Sequence, residues 1–506
     1  MAKSSKSCLS ILARDQKGRK SKKNIRFTKA FPAFPVGCGK PAKLPEQVLR
    51  RATMTSIPRL LFAAFFLSLA MPLSAADYNR APDYRPFSGY TLIQAGTLLA
   101  VPGEEPAAGQ TVVVRDGRVA AIEDGWIEQW SGDDESQTRV LDLRDRFVMP
   151  GFIDLHVHLL SQSGGDRKGQ FVERSDSYFA LQGSQFARWT LEAGFTTVRD
   201  LGARGHAIFA LRDGVRDGLV PGPRILASGQ AITPSGGHGD IHGFRVEILR
   251  ALPALGTCDG PDDCRRAVRQ MVKRGADVIK VTATGGVLSE TATGTGQQFT
   301  QEELDAIAET AHALGRKVTA HAHAKEGIEA ALRAGFDSIE HAMWADEGTM
   351  ELFLEKDAWM VPTVYPITAV GDTPEKMRAG PFGNLPPPIM AKLLELGRQP
   401  KDMVALAHSM GVKIALGTDS AVSPHGENAN EFIEYVNAGM TPMQALMSGT
   451  VHAAEATGIS DLTGSLEPGK AADLVALAGN PLDDISAVLD VRLVMRDGIV
   501  FKHLED

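Results

Sequence analysis

The sequence predicts an α/β protein: a distorted (β/α)8 TIM barrel, with a composite β-sandwich built from the N- and C-terminal segments that flank it. Three observations lead there. Short apolar, β-branched runs alternate with helical patterns over residues 146–462, the order expected of a parallel sheet with crossover helices. Strand-rich segments on either side share the same hairpin signal, Asp116-Gly117 near the start and Asp497-Gly498 near the end. A chain of 506 residues, 43% hydrophobic and 23% charged, has room for one large α/β unit and a smaller module.

From the N-terminus, residues 1–53 hold 14 Lys and Arg against two acidic residues, net +12; with −7 for the whole chain, the remaining 453 residues carry −19. A body this acidic argues against nucleic acid as a partner, because phosphate binding needs clustered Lys and Arg. From Met54 the chain has the layout of a signal peptide: Arg59, an apolar run over 60–71, then small residues up to Ala75 and Ala76. That run is shorter than the roughly 20 apolar residues of a spanning helix. The expectation is an over-extended start at 1–53, a signal peptide at 54–76, and an exported protein, periplasmic or secreted, with no membrane span after cleavage. Cys8 and Cys38 fall before the cleavage point. Cys258 and Cys264 remain, separated by a turn-forming Gly260-Pro261, and an oxidising compartment favours a disulfide over two free thiols or a zinc site.

Residues 77–145 form the N-terminal part of the expected sandwich, beginning with an irregular lead-in at 77–90. Residues 463–506 form the C-terminal part, with an apolar run at 472–477 ahead of the strand pair 494–500 around Asp497-Gly498. Neither part is large enough to bury a core alone, so the two are expected to share one module. Within the barrel, strands are expected at 153–155, 196–199, 224–227, 278–281, 318–320, 338–340, 360–361 and 413–416. Thr300 with Glu303 reads as a capping box that starts a helix running to Leu314, which Gly315 stops. Residues 325–332 serve the next gap as a helix, and the Pro- and Gly-rich stretch 373–400 reads as a long loop over the mouth.

Such barrels place their chemistry at the C-terminal ends of the strands. The first strand ends in His156-Val-His158, whose two side chains leave on one face, ahead of a loop with Ser161. The fourth strand contains Lys280; the fifth ends at His321, with His323 two residues on; the sixth ends at His341 and the eighth at Asp419. Each has an ordinary structural reading on its own: Lys280 snorkelling, Asp419 capping a helix, His341 a satisfied core histidine. Their coincidence at one end of one barrel is the signal for a metal site.

This set resembles the binuclear form of the amidohydrolase superfamily, over about residues 91–502. Ser235-Gly-Gly-His238-Gly-Asp240, Thr284-Gly-Gly286, the pair His321 and His323, and Ser465-Leu-Glu-Pro-Gly-Lys470 are similar to the imidazolonepropionase-like branch that contains exported prolidases and carboxypeptidases. The resemblance implies two divalent metal ions, zinc above all, although manganese, cobalt and iron also suit the donors. His156, His158 and Asp419 would hold one, His321 and His341 the other, and Lys280, N6-carboxylated to a carbamate, would bridge them. It further implies hydroxide held between the metals, with Asp419 taking its proton and passing it to the leaving amine. His238 and His323 are left for substrate contact or oxyanion stabilisation, and Ser161 for a further substrate contact.

The implied reaction is cleavage of an amide or peptide bond to a C-terminal amino acid, as in Xaa-Pro dipeptides, carboxypeptidase substrates or N-acyl amino acids. Arg199 or Arg204 near the second strand is a candidate partner for the substrate carboxylate. The expected partners are a small molecule or short peptide and further copies of the chain, an octamer being one form. Lactonase or phosphotriesterase chemistry on the same two metals is the alternative. A mononuclear deaminase has no need of Lys280, and a non-catalytic exported binding protein would carry a broken ligand set.

Overall fold

The strands that begin and end the described part of the chain meet in one sheet. The computed structural model describes residues 84, 87–130, 137–164, 167–252, 255–289, 294–370, 373–379, 387–396 and 399–504. The expected over-extended start and signal peptide lie outside these residues. Strands β1 (Tyr90–Leu98), β2 (Ala107–Arg115), β3 (Arg118–Asp124) and β4 (Thr138–Pro150) join the C-terminal β12 (Leu474–Leu477), β13 (Val491–Arg496) and β14 (Ile499–His503) in a seven-stranded sheet ordered β14-β13-β12-β4-β1-β2-β3. The seam is the antiparallel pairing of β12 with β4, Leu474 opposite Pro150 and Leu477 opposite Phe147. Period-2 alternation sorts its side chains: Ile93, Val112, Val114, Leu141 and Leu493 bury in one cluster, Tyr90, Leu92 and Val113 in another. Both Asp-Gly hairpins are as expected, with positive φ at each turn residue: Asp116 (51°) and Gly117 (79°), Asp497 (49°) and Gly498 (73°).

Between these ends lie two parallel sheets. β5 (Phe152–Val157), β6 (Phe195–Asp200) and β7 (Arg224–Ala227) form one; β8 (Val278–Thr282), β9 (Lys317–Ala322), β10 (Ser338–His341) and β11 (Trp359–Val361) form the other. All seven fall within two residues of their expected positions. β5, β6 and β8 are buried along their whole length, as strands covered on both faces must be. The expected eighth strand at 413–416 is not a strand. It makes a single parallel bridge, Ile414 to Met360, while Leu416 O accepts from Leu155 N at 2.9 Å. Further parallel bridges, Ile232 to Val281 and Val157 to Ser420, run beside the ladders.

The Thr300–Glu303 capping box opens the helix Gln301–Ala313, and the following helix is Lys325–Arg333. The stretch 373–400 corrects the sequence reading. Instead of one long loop, its described residues include the helices Pro374–Ala379 and Pro387–Leu396 and the start of Gln399–Met410. Proline was read there as a breaker, but Pro374 and Pro387 open their helices, where the missing N–H has no intrahelical partner to lose. Cys258 and Cys264 are joined in a disulfide at the start of the helix Pro261–Arg274. No helix among the described residues is long and apolar enough to cross a membrane.

Candidate metal centre and substrate cavity

β5 delivers two imidazoles to one face, His156 and His158, with ring centroids 5.3 Å apart. His156 N donates to Asp154 Oδ1 at 3.0 Å, and His156 Nδ1 lies 2.8 Å from Glu340 Oε2. Asp154 also accepts from Thr418 Oγ1 (2.6 Å), Thr418 N (3.1 Å) and Asn428 Nδ2 (2.8 Å). It thereby ties the strand bearing His156 to the segment bearing Asp419. Asp419 Oδ1 is 3.1 Å from His158 Nε2 and 3.6 Å from His156 Nε2. Burial alone would raise the Asp419 pKa, but His156, His158 and Lys280 outweigh it and hold the carboxylate at about 2.

β9, the residue just past it and β10 supply His321, His323 and His341, and the loop after β7 supplies His238. His341 lies with its centroid 4.6 Å from His321, 4.8 Å from His323 and 5.0 Å from His156; His238 stacks on His321 at 4.2 Å. Burial, reinforced by neighbouring positive groups, lowers these pKa values: His156 to about 4, His238 and His323 to about 3, His321 and His341 well below the ordinary value. All five are therefore neutral at pH 7 and carry a free lone pair. His341 Nδ1 is 2.6 Å from Thr363 Oγ1. His341, Ala342, Thr363 and Asp419 all take positive φ (70°, 55°, 54° and 49°), so backbone strain collects where the strands end at the site.

Lys280, from β8, is 4% exposed, and its Nζ has no hydrogen-bond partner among the described residues. Burial lowers its pKa to about 8, against the pull of Glu340 and Asp419. An unpartnered amine among neutral imidazoles and a carboxylate is a costly arrangement unless something binds there. Ligand atoms fall into two groups within 4.8 Å: His321, His323 and His341; and His156, His341 and Asp419. This imidazole and carboxylate set suits divalent cations of the zinc type. The grouping sets His323 beside His321 and His341, where the sequence reading kept it for substrate contact.

A cavity of about 550 Å³ opens above this centre, and Ser161, Arg204, His238 and His323 all line it. His238 N donates to Gln298 Oε1 at 2.9 Å, and the imidazole occupies space that Gly286 leaves: a Cβ there would stand 2.1 Å from His238 Cε1. Ser161 O accepts from His425 Nε2 at 2.8 Å.

The candidate role of Arg199 as a substrate-carboxylate partner is corrected. It is 2% exposed, and its guanidinium donates to Leu155 O (2.7 Å), Ser338 Oγ (3.2 Å) and Glu340 Oε1 (2.8 Å). Its donors are aimed into the protein interior rather than into the cavity. Arg204, the other candidate, does face the cavity, donating to Asp240 O at 3.2 Å with its guanidinium 4.2 Å from the Phe171 ring centre.

Sequence reasoning passed over Glu340 although it adjoins His341. Burial would raise its pKa, but Arg199 and His156 bring it to about 2, and Thr319 Oγ1 donates to the same oxygen as Arg199. A usable signal was present: Asp154, Arg199 and Glu340 each sit inside a wholly buried strand, where a charge needs a partner.

Comparisons with known proteins agree with this geometry. The amidohydrolase family matches residues 147–500. Ochratoxinase of Aspergillus niger is 35% identical over 438 residues, covering 81% of this chain and 86% of that protein. A crystal structure of a Xaa-Pro dipeptidase with methionine bound in its active site is similar at TM-score 0.75 and 38% identity, covering 82% of this chain and 100% of the other. A prolidase complexed with N-methylphosphonate-L-proline is similar at TM-score 0.72 and 31% identity, again over 82% and 100%. The chain belongs to the amidohydrolase family and is accordingly a hydrolase acting on amide bonds.

Proposed function

We propose that this protein cleaves the amide or peptide bond to a C-terminal amino acid, in Xaa-Pro dipeptides, other short peptides or N-acyl amino acids. Two divalent metal ions, zinc above all, would be held by His156, His158, His321, His341, Asp419 and an N6-carboxylated Lys280. The observation that carries this reading is Lys280: a buried amine without a hydrogen-bond partner among the described residues, set among neutral imidazoles and Asp419. A desolvated amine with a pKa near 8 has a neutral fraction at pH 7 that can add carbon dioxide.

The metals supply an activated water and polarise the scissile carbonyl. The chain's own residues do the rest. Asp419, ionised and 3.1 Å from His158 Nε2, accepts the water's proton and returns it to the leaving amine. His238, held over Gly286 at the cavity wall, stabilises the developing oxyanion, and His323 and Ser161 contact substrate. The names of two relatives, a Xaa-Pro dipeptidase and a prolidase, support dipeptides as the first substrates to try.

We read the two parallel sheets as parts of one distorted (β/α)8 barrel over residues 146–462; the isolated bridges Met360 to Ile414, Val157 to Ser420 and Ile232 to Val281 support that reading. A composite sandwich from residues 77–145 and 463–506 is part of the same reading, supported by the seven-stranded sheet in which strands of both segments pair. Export through the 54–76 signal to the periplasm or medium, and assembly into a homo-oligomer, an octamer being one form, complete the proposal. A panel of dipeptides and N-acyl amino acids against zinc-loaded protein, read as kcat/KM, tests it. Turnover of Xaa-Pro or N-acyl substrates is expected. Turnover confined to lactones or phosphotriesters overturns the amide assignment.

A further inference from the structure

Most of the charged and most of the large apolar side chains that frame the cavity stand on different sides of it. Loops after β5, β6 and β7 bring Ser161, Ser163, Lys168, Arg204, His238 and His242 to it. Loops after β8, β10 and β11, with the helix Pro387–Leu396, bring Val287, Leu288, Met343, Ile367, Ile389 and Leu393. The second group is one packed surface: Val287, Met343, Ile389 and Leu393 cluster with Met390, and Leu288, Trp344, Ile367 and Val422 lie against them. Lys392, on the same helix, donates from Nζ to Gly286 O and Ser289 O at 2.8 Å each. That clamp fixes the helix to the loop carrying Val287 and Leu288, and it directs the Lys392 ammonium at backbone carbonyls. Among the described residues, Lys168 and Arg204 are the Lys and Arg that line the cavity apart from Lys280, and both stand on the opposite side.

This segregation orients the substrate, given the reading of the site as an amide hydrolase. The scissile carbon has to sit at the histidine cluster, between the two halves. The amine half bears a carboxylate, which is stabilised by the cations of the polar half and would be desolvated without a partner against the apolar wall. The acyl half therefore points the other way. We propose that the wall of Val287, Leu288, Met343, Ile367, Ile389 and Leu393 is an acyl-binding subsite that selects bulky apolar acyl groups, aromatic or branched, over small ones. Burying such a group against a preformed apolar surface favours it over acetyl, and a wall this large adds up several of the methylene-sized increments by which pockets discriminate.

The test is a matched series on zinc-loaded full-length protein: N-acetyl-, N-isovaleryl-, N-benzoyl- and N-2-naphthoyl-L-proline, by turnover and by calorimetric binding. kcat/KM is expected to rise along the series by about 100-fold from acetyl to naphthoyl, with dissociation constants in the same order. In Leu393→Ala the naphthoyl-to-acetyl ratio is expected to fall by about tenfold; Ile389→Ala is the second variant should the first not fold. Removing the carboxylate, as in N-2-naphthoylpyrrolidine, should weaken binding in the wild type and much less in Arg204→Ala. A flat or inverted acyl order overturns the subsite. So does a preference that appears only when the bulky group is moved to the amine half. Should no amide be hydrolysed, the functional reading fails, and the binding order still decides the subsite on its own.

Discussion

His156 and His238 reach the same cavity by different means. His156 stands on a fully buried strand inside an ionic lattice: Asp154 takes its backbone N–H, Glu340 faces its Nδ1, and Arg199 neutralises Glu340. His238 stands on a loop, and the restraints on it come from that loop's surroundings. Thr233 exchanges backbone hydrogen bonds with Cys258 (3.0 Å) and Gly256 (3.1 Å), and Asp259 accepts from Ser235 N and Oγ at 3.0 and 2.6 Å. The disulfide to Cys264 closes the short loop that carries Asp259. The proposed metal ligand is thus set by buried charge, and the proposed substrate-facing residue by a stapled loop. The two should fail separately, one through metal affinity and the other through turnover with metal in place.

The largest expected effect lies on the strand side. Lys280→Ala should lower kcat/KM by on the order of 10³-fold or more while the circular dichroism of the fold persists, since a group central to charge stabilisation is removed. Short carboxylic acids added to this variant should restore part of the rate by standing in for the carbamate. Glu340→Gln comes next. It frees His156 from its anion and leaves Arg199 buried opposite a neutral amide, so metal affinity should drop about 10- to 100-fold and stability by about 3 kcal/mol. Competition with a chelator and denaturant titration measure the two. Wild-type values in both would remove Glu340 from the account.

On the loop side, Gly286→Ala drives a methyl into the His238 ring. It should reduce kcat by about 100-fold with metal content at wild-type level; a loss of metal would show that the two sides are not separable. Cys258→Ser with Cys264→Ser should be milder, about 2 kcal/mol of stability for so short a closed loop and a rise in KM with kcat nearly kept. The smallest effect is a pH dependence of stability. Burial raises the Glu431 carboxyl to about 8, even though it accepts from Val364 N and Tyr365 N. A raised carboxyl pKa means that the folded state holds the proton more tightly. Its contribution is full below the unfolded pKa of about 4.3 and is lost as pH rises towards 8. Melting temperature should therefore decline over that window in the wild type, and less so in Glu431→Gln.

Much of the strand side was legible because its determinants are local. A β-branched run ending in histidine shows both the strand and the candidate ligand, and His156, His158, His321, His341 and Asp419 all come together in the structure, the last of them on a segment that is not a strand. The lattice behind them was not legible. Arg199 and Glu340 are 141 positions apart, so each reads as an isolated charge until the sheets bring them together. That is why Arg199 was assigned to substrate. The loop side suffered most: 373–400 reads as loop because proline signals a helix start and a break alike, and the apolar wall formed by Ile389 and Leu393 exists only once Pro387–Leu396 is folded. The stretch 413–416 has a strand's composition, but its backbone groups are shared between Met360, Leu155 and Ser448 rather than given to one neighbour.

The central claim is that these histidines, Asp419 and Lys280 hold two metal ions that amide hydrolysis requires. Elemental analysis of the protein after chelation and stepwise zinc return, with hydrolysis of an active Xaa-Pro or N-acyl substrate followed at each step, tests it most directly. The account expects activity to vanish with the metal, to return in full at two equivalents per chain, and to stall with at most one tightly bound ion in Lys280→Ala. Full activity in metal-free protein, or saturation at one equivalent with Lys280→Ala unchanged, would contradict it.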